Sequence, residues 1–327
     1  MGRMKRGNIL IVGGAGFIGS HLNKMLNNLG YTTVVFDNLS RGDRATLLSG
    51  TFIEGDMGNQ QALEQLFQKH HFDVVFHFAA LIDVGESIHT PAAYYLNNVS
   101  HTLNLLRMMI TYGIKYFVFS STAAVYGVPV CDCIPESHST LPINPYGHTK
   151  LMVETILRDF DRAYGLKSYC LRYFNAAGGD PEGQIKYYQK KPNNLIPIVL
   201  RSILNHHPVT IHGTDYPTPD GTCIRDYIHL DDLCQAHILA MQQLLQGGTS
   251  MTYNLGNGQG FSVREVLAAA EKVTGSPLRI IEGPRRAGDP PILVADASRA
   301  KRELGWTPKY ADLETMIAHA WKAIGAS

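Results

Sequence analysis

Tyr146 and Lys150 stand four residues apart in Tyr-Gly-His-Thr-Lys, downstream of the run Gly13-Gly14-Ala15-Gly16-Phe17-Ile18-Gly19. In a helix that spacing puts phenol and ammonium on one face, one turn apart. A cation there favours phenolate and is expected to draw a pKa of about 10 toward neutrality. Such a base takes the proton from an alcohol, and a dinucleotide on the glycine run takes the hydride. Alcohol oxidation is the chemistry implied. Pro145 says only that a helix begins, so an exposed helix pair is the alternative. Thr122, in Ser120-Ser121-Thr122-Ala123-Ala124-Val125-Tyr126-Gly127, offers a hydroxyl to bond the alcohol while Tyr146 removes its proton. Alone, it would equally read as a turn former.

Short β-branched runs alternate with helical periods through the first half. Candidate strands are Asn8–Val12, Thr33–Asp37, Thr51–Glu54, Val74–His77, Tyr116–Ser120 and Ser168–Tyr173. Ile18, Leu22, Met25 and Leu26 follow helical spacing, as do Leu63, Leu66 and Phe67, and Leu103, Leu106 and Met109. This alternation predicts an α/β fold, a Rossmann-type doubly wound parallel sheet covered on both faces. After Asn175 the character changes. Ala176–Pro192 is rich in Gly, Pro and Lys, and Thr214–Gly221 is another turn cluster. Helices from Asn194 to Leu204, from Asp231 and from Val263, with strands Val209–Ile211 and Tyr253–Leu255, predict a smaller α+β substrate-binding lobe. The expected partition is 1–177 for the dinucleotide domain and 178–327 for the second lobe, with 226–248 folding back onto the first.

A strand, then Gly13-x-x-Gly16-x-x-Gly19, then an amphipathic helix is the context of a dinucleotide fingerprint. The glycines let backbone N–H groups approach a pyrophosphate at a helix N-terminus. The bare motif would equally be a tight strand-to-helix turn. Asp37, about twenty residues on, suits both ribose hydroxyls and repels a 2′-phosphate, which favours NAD over NADP. Asp56 could contact adenine or be a plain turn aspartate. His77-Phe78-Ala79-Ala80 ends the fourth strand with small residues that allow close approach of a cofactor, or merely of a helix.

The 327 residues allow a large core and two lobes, and 45% apolar with 17% charged residues describes an ordinary globule. A net charge of +1 gives no reason to expect nucleic acid or a membrane surface as partner. Five cysteines, odd in number and without Cys-x-x-Cys spacing, suit a reducing compartment. Arg3, Lys5 and Arg6 before Ile9–Val12 resemble a signal peptide superficially, but that run is too short and enters a glycine turn. No stretch approaches the about 18 apolar residues of a membrane span. A cytoplasmic protein is expected. His70-His71 and His206-His207 lack companion ligand spacing, so no metal is expected.

These residues resemble the extended short-chain dehydrogenase/reductases and, more narrowly, are similar to the UDP-glucose (UDP-galactose) 4-epimerases. The resemblance runs from Ile9 to about Trp306. It is carried by His77-Phe78-Ala79 with Val84-Gly85-Glu86-Ser87, Tyr94-Tyr95-x-Asn97-Asn98, and Leu171-Arg172-Tyr173-Phe174-Asn175. Pro192-Asn193-Asn194-Leu195-Ile196-Pro197, Asp215-Tyr216-Pro217-Thr218-x-Asp220-Gly221-Thr222, Arg225-Asp226-Tyr227-Ile228-His229 and Arg285-Arg286-x-Gly288-Asp289 complete it. It implies that Thr122 and Tyr146 flank the sugar's 4-hydroxyl while Lys150 holds the nicotinamide ribose. Asn98 is implied to bind NAD, and the expected cofactor set is completed by Phe17, Ile18, Asn38, Met57, Ser120 and Tyr173. Asn175, Asn194, Leu195, Arg225, Tyr227, Arg286 and Asp289 are implied to grip UDP; a guanidinium fork suits diphosphate oxygens.

The implied reaction oxidises C4 to a 4-ketose, turns the sugar about its bond to the diphosphate, and reduces it on the other face. Ile82 stands where the family often has lysine, and Leu293 where members carry a tyrosine or a smaller residue bordering the sugar. Bulk at Leu293 is expected to disfavour N-acetylated sugars. A 4,6-dehydratase needs an acid and a base after the strand-five hydroxyl, where this chain has Ala123 and Ala124. A 4-epimerase of UDP-N-acetylglucosamine, a UDP-pentose or a UDP-uronic acid stays open, as does a non-catalytic NAD-binding protein. The resemblance also implies a homodimer paired through helices around Leu103–Met109 and Tyr146–Leu157, whose apolar faces would equally read as internal core.

Overall fold

The computed structural model describes residues 6–186, 192–286 and 289–325. Gly288 of the Arg285–Asp289 motif, Arg3 and Lys5 of the basic N-terminus, and 187–191 of the Gly/Pro/Lys-rich stretch lie outside the described residues. Two compact units emerge. The first comprises residues up to Gly127, Thr140–Arg172 and Cys234–Tyr253; the second comprises Val128–Ser139, Tyr173–Leu233 and residues from Asn254 onward.

The first unit is built on β1 (Arg6–Val12), β2 (Tyr31–Asp37), β3 (Thr51–Glu54), β4 (Val74–His77) and β5 (Tyr116–Thr122). These pair in parallel in the order β5-β4-β1-β2-β3, and the sheet continues past β5 with Lys167–Tyr173 and then Met251–Leu255. Strand alternation explains why both faces must be covered. Leu10, Val12, Val34, Phe36 and Val75 join Leu63, Leu66, Leu105, Leu106, Met109, Val153 and Leu157 in one core. Those partners come from the helices Gln60–Lys69, His101–Thr111 and Pro145–Tyr164. The intervening Ile9, Ile11, Val35, Val74 and Phe76 are equally shut from water on the opposite face. This is the doubly wound Rossmann-type α/β sheet expected. Strand order reverses between β1 and β4, the crevice where such sheets bind ligands.

The second unit centres on Ile224–His229, which pairs antiparallel with Gly260–Ser262 and parallel with Ile292–Ala295 and Asn175–Ala177. Val209–His212 pairs with Ile280–Gly283 as a separate two-stranded sheet. Its core is Ile196, Val199, Leu200 and Ile203 against Val266, Leu267, Ala270, Met316 and Ile317. They belong to helices Leu195–Leu204, Val263–Thr274 and Leu313–Ile324. Ser262 and Glu265 close a capping box on Val263–Thr274.

Several placements differ from expectation: Val128–Ser139, expected in the first domain, belongs to the second unit, and the later segment that belongs to the first unit is Cys234–Tyr253 rather than 226–248. Tyr253–Leu255, assigned to the second lobe, lies within Met251–Leu255, the edge strand of the seven-stranded sheet. Local pattern signals a strand but not which sheet it joins.

Candidate active site

Asn144 starts the catalytic helix. Its side chain accepts from the Gly147 N–H at 2.8 Å, and Pro145 fills the first position, where no donor is needed. Gly147 lets this helix start close to the turn Ala123–Tyr126, since a Cβ there would come within 2.6 Å of the Ala124 carbonyl. That approach brings Tyr146 to Thr122, whose side chain hydrogen-bonds the phenol. One turn on, the Lys150 ammonium donates to the Ser120 carbonyl at 2.7 Å and lies 4.9 Å from the Phe119 ring centroid. Tyr146, Lys150, Thr122 and Ser120 are thus one constellation at the end of β5.

Its electrostatics differ from expectation in one respect. Desolvation pushes the Tyr146 phenol up to about 12, with the Thr122 hydrogen bond pulling the other way. The expected lowering by Lys150 is absent, because the ammonium turns toward the Ser120 carbonyl and is itself desolvated. Burial brings Lys150 down to about 7, opposed by the charge of Glu154. His77, fully buried and bonded to Thr102 at 2.8 Å, is held neutral near 3, first by burial and then by the Lys150 charge.

The cofactor-end residues assemble at the exits of β1, β2 and β4. Gly13 has φ +80°, and a Cβ would meet the Ala79 nitrogen at 2.3 Å, so the glycine turn and the β4 exit are in backbone contact. On Gly19 a Cβ would strike the Gly13 carbonyl at 2.5 Å. On Gly16 it would meet only that carbonyl at 3.4 Å, leaving the outer side of the loop open. The helix Phe17–Asn28 starts from Gly16, which has no side chain to cap it. The Asp37 carboxylate accepts from the Ala15 N–H at 2.9 Å and the Leu39 N–H at 2.8 Å; burial raises its pKa against those bonds. An open glycine loop at a helix start with a carboxylate clamped against it fits a dinucleotide's pyrophosphate and ribose.

Other expected contacts have protein tasks. The Asp56 carboxylate accepts from Asn38 and from the Gly58 N–H, each at 2.6 Å. Burial raises its pKa, but these two bonds outweigh it and hold the acid low. Asp56 is therefore at least a turn aspartate. Met57 is 5% exposed within the core, and its carbonyl accepts from Asn104 at 3.3 Å. Asn98 lies in a π-helical turn, Leu96–Ser100, and brackets the residues after β4. Its amide accepts from Leu81 N–H and donates to Leu81 carbonyl, both at 2.9 Å, and donates to Thr149 at 3.1 Å. Phe78 stacks near Phe76 and His237; Ala79 donates to the Val12 carbonyl at 3.1 Å, and Ala80 is half-buried. Tyr173 ends its strand half-buried.

In the second unit a cavity of about 400 Å³ collects Asn175, Asn194, Leu195, Arg225, Tyr227, Arg286 and Asp289, the whole expected UDP set. Asn194 occupies the N-cap of Leu195–Leu204 without capping it, so its amide is not spent on the helix. Arg225 donates to Asp289 at 3.2 Å and to the Ile224 carbonyl at 2.8 Å. Two arginines against one carboxylate leave excess positive charge, as a diphosphate requires. Leu293 is not among the lining residues; it is half-buried, paired in register with Arg225.

Sequence reasoning missed Thr210, His212 and Cys223 of the same cavity. His212 is kept low by burial and by Arg286. It missed Asp226, which takes three backbone N–H bonds beneath the cavity strand. Glu154 and Arg172 were missed also; the helical step from Lys150 to Glu154 was the available signal.

Residues 9–256 match the model of the NAD dependent epimerase/dehydratase family. The chain is 50% identical over 314 residues to a UDP-glucose 4-epimerase of Halalkalibacterium halodurans, covering 96% of this chain and 94% of the relative. Among solved structures it resembles the UDP-glucose 4-epimerase of Brucella ovis in complex with NAD, with TM-score 0.95 and 44% identity over 98% of this chain and 99% of the other. The UDP-glucose 4-epimerase of Bifidobacterium longum in complex with NAD+ and UDP gives TM-score 0.91 and 38% identity, covering 97% of each chain.

Proposed function

The chain belongs to the NAD dependent epimerase/dehydratase family, and from that premise we propose that it interconverts UDP-glucose and UDP-galactose by inversion at C4 through a transient 4-keto sugar. The observation that carries this reading is the Thr122–Tyr146–Lys150 constellation at the end of β5, in a chain that also holds a cavity of diphosphate-binding character. NAD, when bound, supplies a reversible hydride acceptor for C4.

The chain's own residues supply the rest. The glycine loop and Asp37 would hold the pyrophosphate and adenine ribose. Thr122 bonds the 4-hydroxyl and Tyr146 takes its proton, then returns it to the same oxygen once the turned sugar has presented the other face of C4 for reduction. At about 12 the phenol is almost wholly protonated near neutral pH, so little of the phenolate base is present; positive charge brought near it favours phenolate. Arg225, Arg286, Asn194 and Tyr227 would anchor UDP, so that the sugar alone turns. Ala123 and Ala124 offer neither the acid nor the base that a dehydration needs after the strand-five hydroxyl.

Incubation with a panel of UDP-sugars and no added cofactor tests this reading. Interconversion of the glucose and galactose forms, abolished in Tyr146→Phe with NAD content unchanged, is expected; full turnover by that variant would refute the assignment of the base. Comparable turnover of UDP-N-acetylglucosamine would refute the role given to Leu293.

The residue partition into an NAD-binding and a UDP-sugar-binding part is supported by the separate locations of loop and cavity residues. A homodimer is supported by apolar Ile88, Leu96 and Met152, which are 59%, 56% and 44% exposed on or beside the expected pairing helices; a monomeric sedimentation coefficient would refute it. A cytoplasmic location is supported by five free thiols.

A further inference from the structure

Three consecutive residues at the end of β5 are tied to three successive turns of Pro145–Tyr164. Thr122 bonds Tyr146, the Ser120 carbonyl accepts from Lys150, and between them the Ser121 hydroxyl donates to Glu154 Oε1 at 2.5 Å. Glu154 follows Lys150 by one turn and is 5% exposed. Its two oxygens also accept from Arg172, Nε at 2.9 Å and Nη2 at 2.5 Å. Arg172 comes from the strand beside β5, is itself buried, and gives Nη1 to the Tyr126 phenol at 3.0 Å. Apolar residues of similar volume often replace such a buried ion pair without loss of stability. A carboxylate in this place therefore calls for a task beyond folding.

We propose that Glu154 is a positioning residue for the reaction: through Ser121 it locks the end of β5, so that Thr122 and the Ser120 carbonyl hold Tyr146 and Lys150 in register for proton transfer. The inference rests on the epimerase reading. Arg172 in turn fixes the carboxylate, and the Tyr126 phenol fixes Arg172. Glu154 also places a negative charge one turn from the Lys150 ammonium and so favours its charged form. The groups against that ammonium are neutral His77 on β4 and Ser120 and Phe119 on β5, with Tyr146 one turn before it on its own helix; the Arg172 charge is matched by Glu154 itself.

The test compares Glu154→Gln and Ser121→Ala with the wild-type protein. A displacement of reacting groups of about 1 Å costs on the order of 10² in rate, and Glu154→Gln is expected to lower kcat by about that factor. KM for the UDP-sugar and NAD content should stay near wild type, since the UDP cavity uses other residues. The alkaline limb of kcat should move to lower pH. In 13C-lysine NMR, with the Lys150 signal assigned by Lys150→Met, the midpoint of Lys150 should fall. Ser121→Ala keeps the ion pair, so it should fold normally and lose about tenfold in kcat with little change in the Lys150 midpoint. Wild-type kcat in Ser121→Ala, or an unmoved Lys150 midpoint in a folded Glu154→Gln, overturns the proposal; if Glu154→Gln does not fold, Ser121→Ala decides. Absence of UDP-sugar turnover in the wild-type protein would refute the functional reading instead, and the lysine titration would still report on Glu154.

Discussion

Asp226 should make this protein less stable as pH rises, and Asp226→Asn should remove that penalty. The side chain is fully buried on the strand Ile224–His229. Oδ1 accepts from Asn257 N–H at 2.7 Å, and Oδ2 from Gly258 and Ala295 N–H, both at 3.0 Å. Burial outweighs these three bonds and raises the carboxyl from 3.8 to about 6. Between those values the folded chain keeps a proton that the unfolded chain has released. Stability from this group is therefore present at low pH and lost as pH climbs through about 6. At 1.36 kcal/mol per pH unit the whole loss is about 3 kcal/mol, of which about 2 kcal/mol falls between pH 4.5 and 7.5. The amide matches the acid in shape and does not titrate; its NH2 cannot accept one of the backbone bonds, a cost that is the same at every pH and cancels in the comparison. Urea unfolding of both proteins at pH 4.5 and 7.5 isolates the residue, because all other titrations cancel in the difference. The variant should gain about 2 kcal/mol relative to wild type across that interval. A difference that stays constant, or moves the other way, refutes the assignment of a raised carboxyl.

Three further outcomes are expected. Thr122→Val removes the hydroxyl bonded to the Tyr146 phenol; a bond of about 1 kcal/mol predicts up to about tenfold lower kcat with unchanged UDP affinity, read by steady-state kinetics and calorimetry. Arg225→Ala strips the cavity of a partly buried guanidinium and leaves Asp289 without that partner; loss of charge-assisted bonds worth about 1.5–3 kcal/mol predicts UDP binding weaker by roughly 10- to 10²-fold in calorimetry, with NAD content preserved. Gly13→Ala places a methyl 2.3 Å from the Ala79 nitrogen at φ +80°; backbone strain of about 1–3 kcal/mol predicts a lower melting temperature and protein that loses its nucleotide on gel filtration.

Legibility in the sequence followed burial. The central residues of β1, β2 and β4 are shut from water on both faces, so their apolar pattern marks these strands to within two residues, whereas the edge strand β3 is exposed at Thr51 and Glu54 and half-buried between them. The second unit hid most of its sheet. Cys133–Ile134, Asn175–Ala177 and Gly260–Ser262 are two or three residues long and pair with strands far away in sequence, so no local period betrays them. Tyr146, Lys150 and Thr122 were recognisable because their spacing carries the geometry. The charge state of Tyr146 was not, because desolvation depends on what folds around the phenol. Glu154 passed as one more polar residue of an amphipathic helix, although its step from Lys150 equals that from Tyr146 to Lys150. Arg172 stood inside a recognised motif, yet without Glu154 it had no partner to give it a task.

The wide turn at Leu96–Ser100 holds one more residue than an α turn would. Deleting one residue there would restore the tighter winding yet leave the helix after it facing nearly the same way, because four α residues sweep almost the same angle as the five of the wide turn. Leu105, Leu106 and Met109 would keep their places in the core, while Asn98 would release Leu81. The extra residue thus serves the bracket on the segment after β4, and its loss should loosen that segment without unfolding the helix.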